Sequence, residues 1–296
     1  MPVYEGVYAS PLPLTPFYEP VGTVIAVGEE AARGGWSPGQ RVGALLFQHG
    51  CRADDDWRFG ETRRMAGLTH DGGFAEYMVA DAEACAVLTD GVPFAQAAPL
   101  MRDGLGRHFA AAELGPGVPA AVIGVVGLGQ LAIQFLKAQG HPVVAIDNRE
   151  EGLKLAGEVG PEELRADAVV DFKAEDAVER VARFVGEGGK AAAAIVCTEA
   201  VDATEWSLKL LQPHEVVVLL GLPVEGFHFI AFDIVFKELT VKGSLVATKK
   251  QLVEMLAIVY EYSIRSHITT VSFEAVPRLP ELYMDKLLKG RLVLKT

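Results

Sequence analysis

The sequence predicts an α/β fold: a doubly wound parallel sheet beside a smaller, irregular β domain. Three observations carry that expectation. From about residue 104, short apolar runs alternate with amphipathic segments of helical period, the pattern of a parallel sheet covered on both faces. Up to about residue 100, the chain is instead rich in Gly, Pro and short β-type runs. Where the textures meet, a glycine-rich turn leads from a buried run into a helix.

The elements follow in chain order. VGTVIAV (Val21–Val27), QRVGALLF (Gln40–Phe47) and GGFAEYMVA (Gly72–Ala80) read as strands, because β-branched and aromatic residues suit a pleated, half-buried surface. AAVIGV (Ala120–Val125) is an unbroken apolar run, a buried strand. GQLAIQFLKAQG (Gly129–Gly140) is an amphipathic helix that stops on glycine. HPVVAID (His141–Asp147) is the next strand. Then come helix EEGLKLAGEV, strand ADAVVDF, helix AEDAVERVARFV, strand AAAAIVCT, helix ATEWSLKLL, and strands EVVVLLGL and LTVKGSLV. From about Thr248, KKQLVEMLAIVYEY is a helix and GRLVLK a last strand, both expected to fold back onto the first domain. The expected division is 1–103 with 248–296 as the β domain, and 104–247 as the sheet domain.

VIGVVGLGQ (Val122–Gln130) is the strongest motif. A strand runs into Gly124, then Gly127 and Gly129, then a helix, and Asp147 closes the following strand. This is the layout of a Rossmann dinucleotide fingerprint. Helix N-terminal amides face a pyrophosphate there, and the acid takes ribose hydroxyls. The G-x-G-x-x-G spacing falls on Gly124, Val126 and Gly129, so the middle glycine is valine. A branched side chain at that point crowds the phosphate. Two readings stay open: a working nucleotide site, or a turn kept only for the fold.

Composition bounds the function. The chain has 296 residues, 50% hydrophobic and 22% charged, which is a soluble globular balance. Its net charge of −12 argues against nucleic acid or an anionic membrane as partner. Cys51, Cys85 and Cys197 are few and scattered, so no disulfide framework is expected and a reducing, cytoplasmic setting is. MPVYEGVYAS has no basic region followed by an apolar run, so it does not read as a signal peptide. Runs such as HEVVVLLGL are too short to span a bilayer.

EPVGTVIAVG, PGQRVG, DGGFAEYMVAD, QAAPLM, VGLGQLAIQFLKAQG, VVAIDNRE and FKELTVKGSLVAT occur in this order. With them the chain resembles the zinc-type alcohol dehydrogenases of the medium-chain dehydrogenase/reductase superfamily, over nearly its whole length. The resemblance implies a catalytic domain of GroES-like fold, here N-terminally shortened, a Rossmann domain, and a cleft between them. It also implies nucleotide-side roles for Gly124, Val126, Gly127, Leu128, Gly129, Asp147, Arg149, Cys197, Thr198, Gly221, Leu222 and Ser244. Asp147 favours NAD over NADP, and Arg149 softens that preference. Simple inheritance explains the same residues if no nucleotide is bound.

The departures from the family concern its metals. The first catalytic zinc ligand of the family lies upstream of a stretch like VYEGVYASPLPLTP, and this chain begins at Met1. Tyr18 stands where the family has a histidine ligand, before Glu19. Arg102 stands where it has a cysteine, before Asp103. Thiolates and imidazoles hold zinc; a phenol and a guanidinium do not replace them. The four-cysteine structural lobe is represented by HGCRADDDWRFGETRR, with Cys51 alone. Its acidic run, with Arg58, Arg63 and Arg64, reads as a solvated loop. No zinc is expected.

Tyr18, Glu19, Arg102 and Asp103 are the candidate catalytic residues. Tyr18 can donate to a carbonyl oxygen, Arg102 can hold an oxyanion, and Glu19 or Asp103 can act as base. The plainer alternative is an inert Glu19–Arg102 ion pair. His49, His70 and His108 are expected near the site; His141, His214, His228 and His267 are expected on the surface or in loops. The main functional expectation is non-redox acid/base chemistry, isomerisation or cyclisation, on an apolar carbonyl-bearing small molecule. The alternative is a zinc-independent NAD(P)H reductase or dehydrogenase of a carbonyl or enone; a further one is a non-catalytic binding relative. A homodimer paired through FKELTVKGSLVAT is expected, because a shortened β domain exposes a sheet edge and apolar surface.

Overall fold

The computed structural model describes residues 9–49, 57–61, 63–101, 114–115, 117–285 and 287–295. Among the described residues the first part holds five short strands: β1 (Val21–Thr23), β2 (Arg41–Ala44), β3 (Phe47–Gln48), β4 (Arg64–Met65) and β5 (Cys85–Val87). β2 pairs antiparallel with β1 and with β5, and β3 pairs with β4. The strand expected at Gly72–Ala80 does not form. Its backbone is tied elsewhere: Gly72 N donates to Thr15 O (2.7 Å), Gly73 N to Phe17 O (2.9 Å) and Phe74 N to Pro16 O (3.2 Å). A β-carbon on Gly72 would overlap the Phe17 carbonyl, so glycine permits that approach. β1 is the outer strand of its sheet, and Ile25 and Tyr77 stand exposed along a groove beside it.

The second part is the doubly wound sheet. Its strands are β6 (Ala120–Ile123), β7 (Val143–Asp147), β8 (Ala168–Asp171), β9 (Ala191–Val196), β10 (Leu211–Leu219) and β11 (Thr240–Gly243). All pair in parallel, in the order β11-β10-β9-β6-β7-β8. The order reverses beside β6, so a crevice opens at the carboxyl ends of β6 and β9. Every residue of β6, β7 and β9 is buried, as their unbroken apolar runs require. Helices Gly129–Ala138, Glu150–Glu158, Ala177–Val185 and Val201–Ser207 cover the faces. Helix Ala231–Lys237, not expected from the sequence, precedes β11 and leaves Phe232 and Phe236 exposed and stacked at 4.0 Å.

The last part folds back onto the first. Helix Lys249–Tyr262 opens with a capping box: Gln251 N donates to Thr248 Oγ1 (3.3 Å) and Thr248 N to Gln251 Oε1 (3.0 Å). It buries Leu252, Met255 and Leu256 in one core with Leu45, Leu88 and Leu100. β12 (Ile268–Ser272) and β13 (Arg291–Lys295) form a parallel pair. Glutamine side chains staple the segment before β12 to its neighbours. Gln134 Nε2 donates to Arg265 O (2.8 Å) while Arg265 N donates to Gln134 Oε1 (3.0 Å). Gln96 makes the same reciprocal pair with Ser266, and Gln130 Oε1 accepts from His267 N (2.7 Å).

Two surface expectations are corrected. His141 is buried, with Nδ1 3.1 Å from the Val118 carbonyl oxygen. Arg58 is part-buried rather than solvated, donating through Nη1 to Val246 O. No described helix is long and apolar enough to cross a membrane.

Candidate active site

The turn after β6 is built on its glycines. Gly124 has φ +88°, and a β-carbon there would press on Thr198. Gly129 starts the helix so close to Gly124 that a β-carbon would overlap the Gly124 carbonyl oxygen. Between them, Val125 N donates to Asp147 Oδ2 (2.7 Å). The other oxygen of Asp147 accepts from Asn148 N (2.8 Å) and Arg149 N (2.9 Å), and Arg149 Nε lies 3.4 Å away. Asp147 is only 5% exposed. The acid expected to meet ribose hydroxyls therefore also holds the turn closed from the end of β7.

The crevice gathers other expected residues. Cys197 and Thr198 follow β9 directly. A β-carbon on Gly221 would overlap the Thr198 carbonyl, so Gly124 and Gly221 both pack against Thr198. Thr198 Oγ1 accepts from Ala200 N (3.1 Å) and fixes this corner. Leu222 stands exposed next to it, and Ser244 N, just past β11, donates to Leu219 O (3.3 Å). Val126 and Leu128 are half-buried in the turn itself.

Arg291, which the sequence reading missed, opens β13 and places its guanidinium against Gly127, in the turn before the helix. Its guanidinium lies 3.1 to 3.2 Å from where a β-carbon of Gly127 would stand, so a larger residue there would have to push it aside by a few tenths of an ångström. Arg291 Nη2 is 3.9 Å from Glu19 Oε1, and Glu19 is 6% exposed. Glu19, β13 and the glycine turn thus meet at one point. The only sequence signal was a lone cation opening the terminal strand, too weak to single out.

Tyr18 packs on an apolar cluster of Leu46, Phe47, Leu68 and Val246. Phe17, at φ +86°, stacks on Phe74 at 4.5 Å and orders the chain just before it. A groove of about 880 Å³ reaches Glu19 from the β1 side, with Phe17, Val42 and Phe74 on its walls. Arg102, Asp103 and His108 lie outside the described residues, as does Cys51. His49 and His70 form a pair of their own, ring centroids 6.3 Å apart, with His49 Nδ1 3.6 Å from Asp81 Oδ2. Burial, then the neighbouring His49, lowers the His70 pKa.

The donors at Tyr18 do not suit zinc. The position offers a phenol, which is not among zinc's usual protein ligands, and a single carboxylate, Glu19, that lies 3.9 Å from the Arg291 guanidinium. Among the described residues, no three of His, Cys, Asp and Glu converge on a point that could hold a metal ion.

Comparison with known proteins agrees with this architecture. Residues 1–90 match the alcohol dehydrogenase GroES-like domain, and residues 127–261 match the zinc-binding dehydrogenase domain. An alcohol dehydrogenase of Geobacillus stearothermophilus is 32% identical over 291 residues, 96% of this chain and 83% of that protein. One from Rhizobium meliloti is 33% identical over 289 residues, 95% and 82% of the two. The alcohol dehydrogenase structure from Aeropyrum pernix superposes with a TM-score of 0.86 at 26% identity, covering 99% of this chain and 86% of that one. The acetophenone reductase of Geotrichum candidum, solved with NAD, has a TM-score of 0.85 at 24% identity, covers 100% and 85%, and at that identity shares the fold. Two matched domains, a shared topology and relatives at this identity over this length place the chain in the zinc-type alcohol dehydrogenase family of the medium-chain dehydrogenase/reductase superfamily.

Proposed function

We propose that this chain is an NAD(P)-dependent oxidoreductase that interconverts a carbonyl compound and an alcohol without a catalytic zinc. One observation carries the nucleotide half: the Arg291 guanidinium seated on Gly127 at the mouth of the helix. A pyrophosphate needs cations and free amides, and this point offers both. Within the protein the close approaches of the turn fall on Gly124, Gly127 and Gly129, which the chain keeps; Val126 stays at the position that faces the phosphate, and the titration below tests it. The relatives, alcohol dehydrogenases by name, favour this reading over isomerisation or cyclisation.

When bound, the nicotinamide supplies a hydride to a carbonyl carbon or takes one from an alcohol carbon. The chain's own residues do the rest. Glu19, nearly buried, holds Arg291 toward the glycine turn. Tyr18 donates a hydrogen bond to the substrate oxygen as negative charge grows there, the role a Lewis acid otherwise fills. The apolar residues around Tyr18 favour an apolar substrate and exclude water. The reading includes a homodimer through β11 and the exposed face of helix Ala231–Lys237.

Calorimetric titration of NADH and NADPH, with metal analysis of the same sample, tests the proposal. Micromolar binding without stoichiometric zinc is the expected result. Tyr18→Phe then lowers kcat on carbonyl substrates by roughly 10²-fold or more, the usual contribution of a proton donor. No nucleotide binding up to millimolar concentration removes the redox reading, and stoichiometric zinc removes the zinc-free one.

A further inference from the structure

Two strands of the β domain turn an open edge to the same groove. β1 is the outer strand of the β1-β2-β5 sheet, and β13 is paired on one side, by β12. Backbone groups alternate in direction along a strand, so each edge carries one set turned outward. In β1 the inward set is marked by two bonds: Val24 N donates to Gln40 O (2.9 Å), and Ala44 N donates to Pro20 O (3.0 Å). Val21 and Thr23, with Ile25 just past the strand, therefore turn their N–H and C=O groups away from β2. In β13, Arg291 N donates to His267 O (3.0 Å). Leu292 and Leu294 therefore turn theirs away from β12. Among the described residues no further strand pairs with either edge. All five residues line the groove of about 880 Å³. The two strands start from one corner, where Glu19, just before β1, lies 3.9 Å from Arg291, the first residue of β13. The walls beyond that corner are apolar: Ile25 and Tyr77 are exposed, and Phe74 stacks on Phe17 at 4.5 Å.

We propose that the groove binds an extended segment of another polypeptide, which adds a strand between β1 and β13. The segment is apolar at alternate residues and basic at its ends. Two rows of unpaired donors and acceptors carry complementary partial charges for a backbone that offers the same groups on both of its sides, and an extended chain does so at about 3.3 Å per residue. The apolar walls receive its alternate side chains. Formal charge selects the ends. The chain carries −12 overall, helix Glu29–Arg33 after β1 opens on two acids, and Glu76 is exposed on the groove. Such a field draws a basic segment and repels an acidic one. Tyr18 and the glycine turn take no part, so the binding is separate from the redox reaction.

The test is calorimetric titration with a synthetic peptide of alternating valine and threonine, about nine residues long with a lysine at each end. A Kd of about 10–100 μM is expected, modest because the peptide is ordered on binding. Glutamates in place of the lysines should weaken binding, and less so at high salt. Two N-methylated peptides separate the edges. Methylating the valine amides removes the donors facing one strand, and methylating the threonine amides removes those facing the other. Each should weaken binding by about tenfold or more. Thr23→Pro removes an outward N–H of β1 without touching its bonds to β2, and should weaken binding severalfold. Thr23→Ala keeps that N–H and should bind as wild type does, with circular dichroism confirming that both variants fold. No binding to the wild-type protein at millimolar peptide overturns the inference, whether the chain's own residues 1–8 or nothing fills the groove. So does a loss confined to one of the two methylated peptides, because the segment then pairs with a single edge. A dimer of this chain that Thr23→Pro dissociates, with no peptide bound, assigns the groove to a second copy and overturns it as well.

Discussion

Gly129 and Gly157 are both helical glycines, and substitution to alanine has opposite consequences for them. At Gly129 a β-carbon meets the rigid Gly124 carbonyl. Gly129→Ala is expected to cost about 1–3 kcal/mol through overpacking, read as a lower urea midpoint, and to weaken NADH binding. At Gly157, in helix Glu150–Glu158, a β-carbon has nothing within 4 Å. Gly157→Ala is expected to stabilise by about 0.5–1 kcal/mol, because alanine loses less backbone entropy. Equal effects at the two sites would mean that the turn is not close-packed. His70 makes a prediction in pH. Burial, His49 and Arg64 hold its pKa below the ordinary 6.5, against Asp71 and the Met65 carbonyl. The folded state resists the proton while the unfolded state accepts it. This contribution to stability is present above pH about 6.5 and is lost as pH falls through that value toward the folded-state pKa. His70→Gln should flatten the loss of stability between about pH 7 and 5, and an unchanged slope sinks the assignment. Glu19 was legible as a site residue because it survives beside Tyr18. Its partner Arg291 was not, since a contact spanning most of the chain leaves no local pattern.

Among the elements, the glutamine staples make the clearest prediction. Gln134 gives its amide and takes one from Arg265, acting as a one-residue strand between helix Gly129–Ala138 and the approach to β12. Gln134→Ala leaves both groups of Arg265 without these partners, at about 1–3 kcal/mol of stability by urea denaturation. Gln134→Glu keeps the acceptor and loses the donor, so it should fall between wild type and alanine. A neutral Gln134→Ala would show that water takes over both bonds. The parallel sheet was legible because its central runs, β6, β7 and β9, are apolar enough to be buried on both faces, and its helices because their apolar period and glycine stops agree. Helix Ala231–Lys237 was missed for the converse reason. Its phenylalanines face outward, so its pattern does not mark a core side. Gly72–Ala80 misled because its alternation is that of a strand, while its amides bond to an irregular segment. The candidate site was half legible. Tyr18 at a zinc-ligand position of the family marks a departure from it, but not which distant side chain meets its neighbour Glu19.

For the whole molecule the question is what covers β11. It is the last strand of the six-stranded sheet, so one row of its backbone groups lies beyond the sheet's own pairing. Val241 on the strand, with Phe232, Val235 and Phe236 on the helix before it, are exposed. An open edge beside an apolar patch invites a second copy. The net charge of −12 opposes this at long range. Two such copies associate only if the buried apolar area outweighs a repulsion that salt screens over a Debye length of about 8–10 Å. Light scattering should therefore report a dimer that tightens as salt is raised from low concentration, the opposite of a complex held by ion pairs. Phe236→Glu and Val241→Glu each place a new negative charge in the patch and should give monomers with an unchanged circular dichroism spectrum. A wild-type monomer at tens of micromolar, or a dimer indifferent to both substitutions, would mean that another surface or none is used. The crevice centres on the carboxyl ends of β6 and β9 and reaches β11 only at Ser244, past Val241, so the monomeric variants should still bind NADH. Loss of binding on dissociation would instead show that the second copy completes the site.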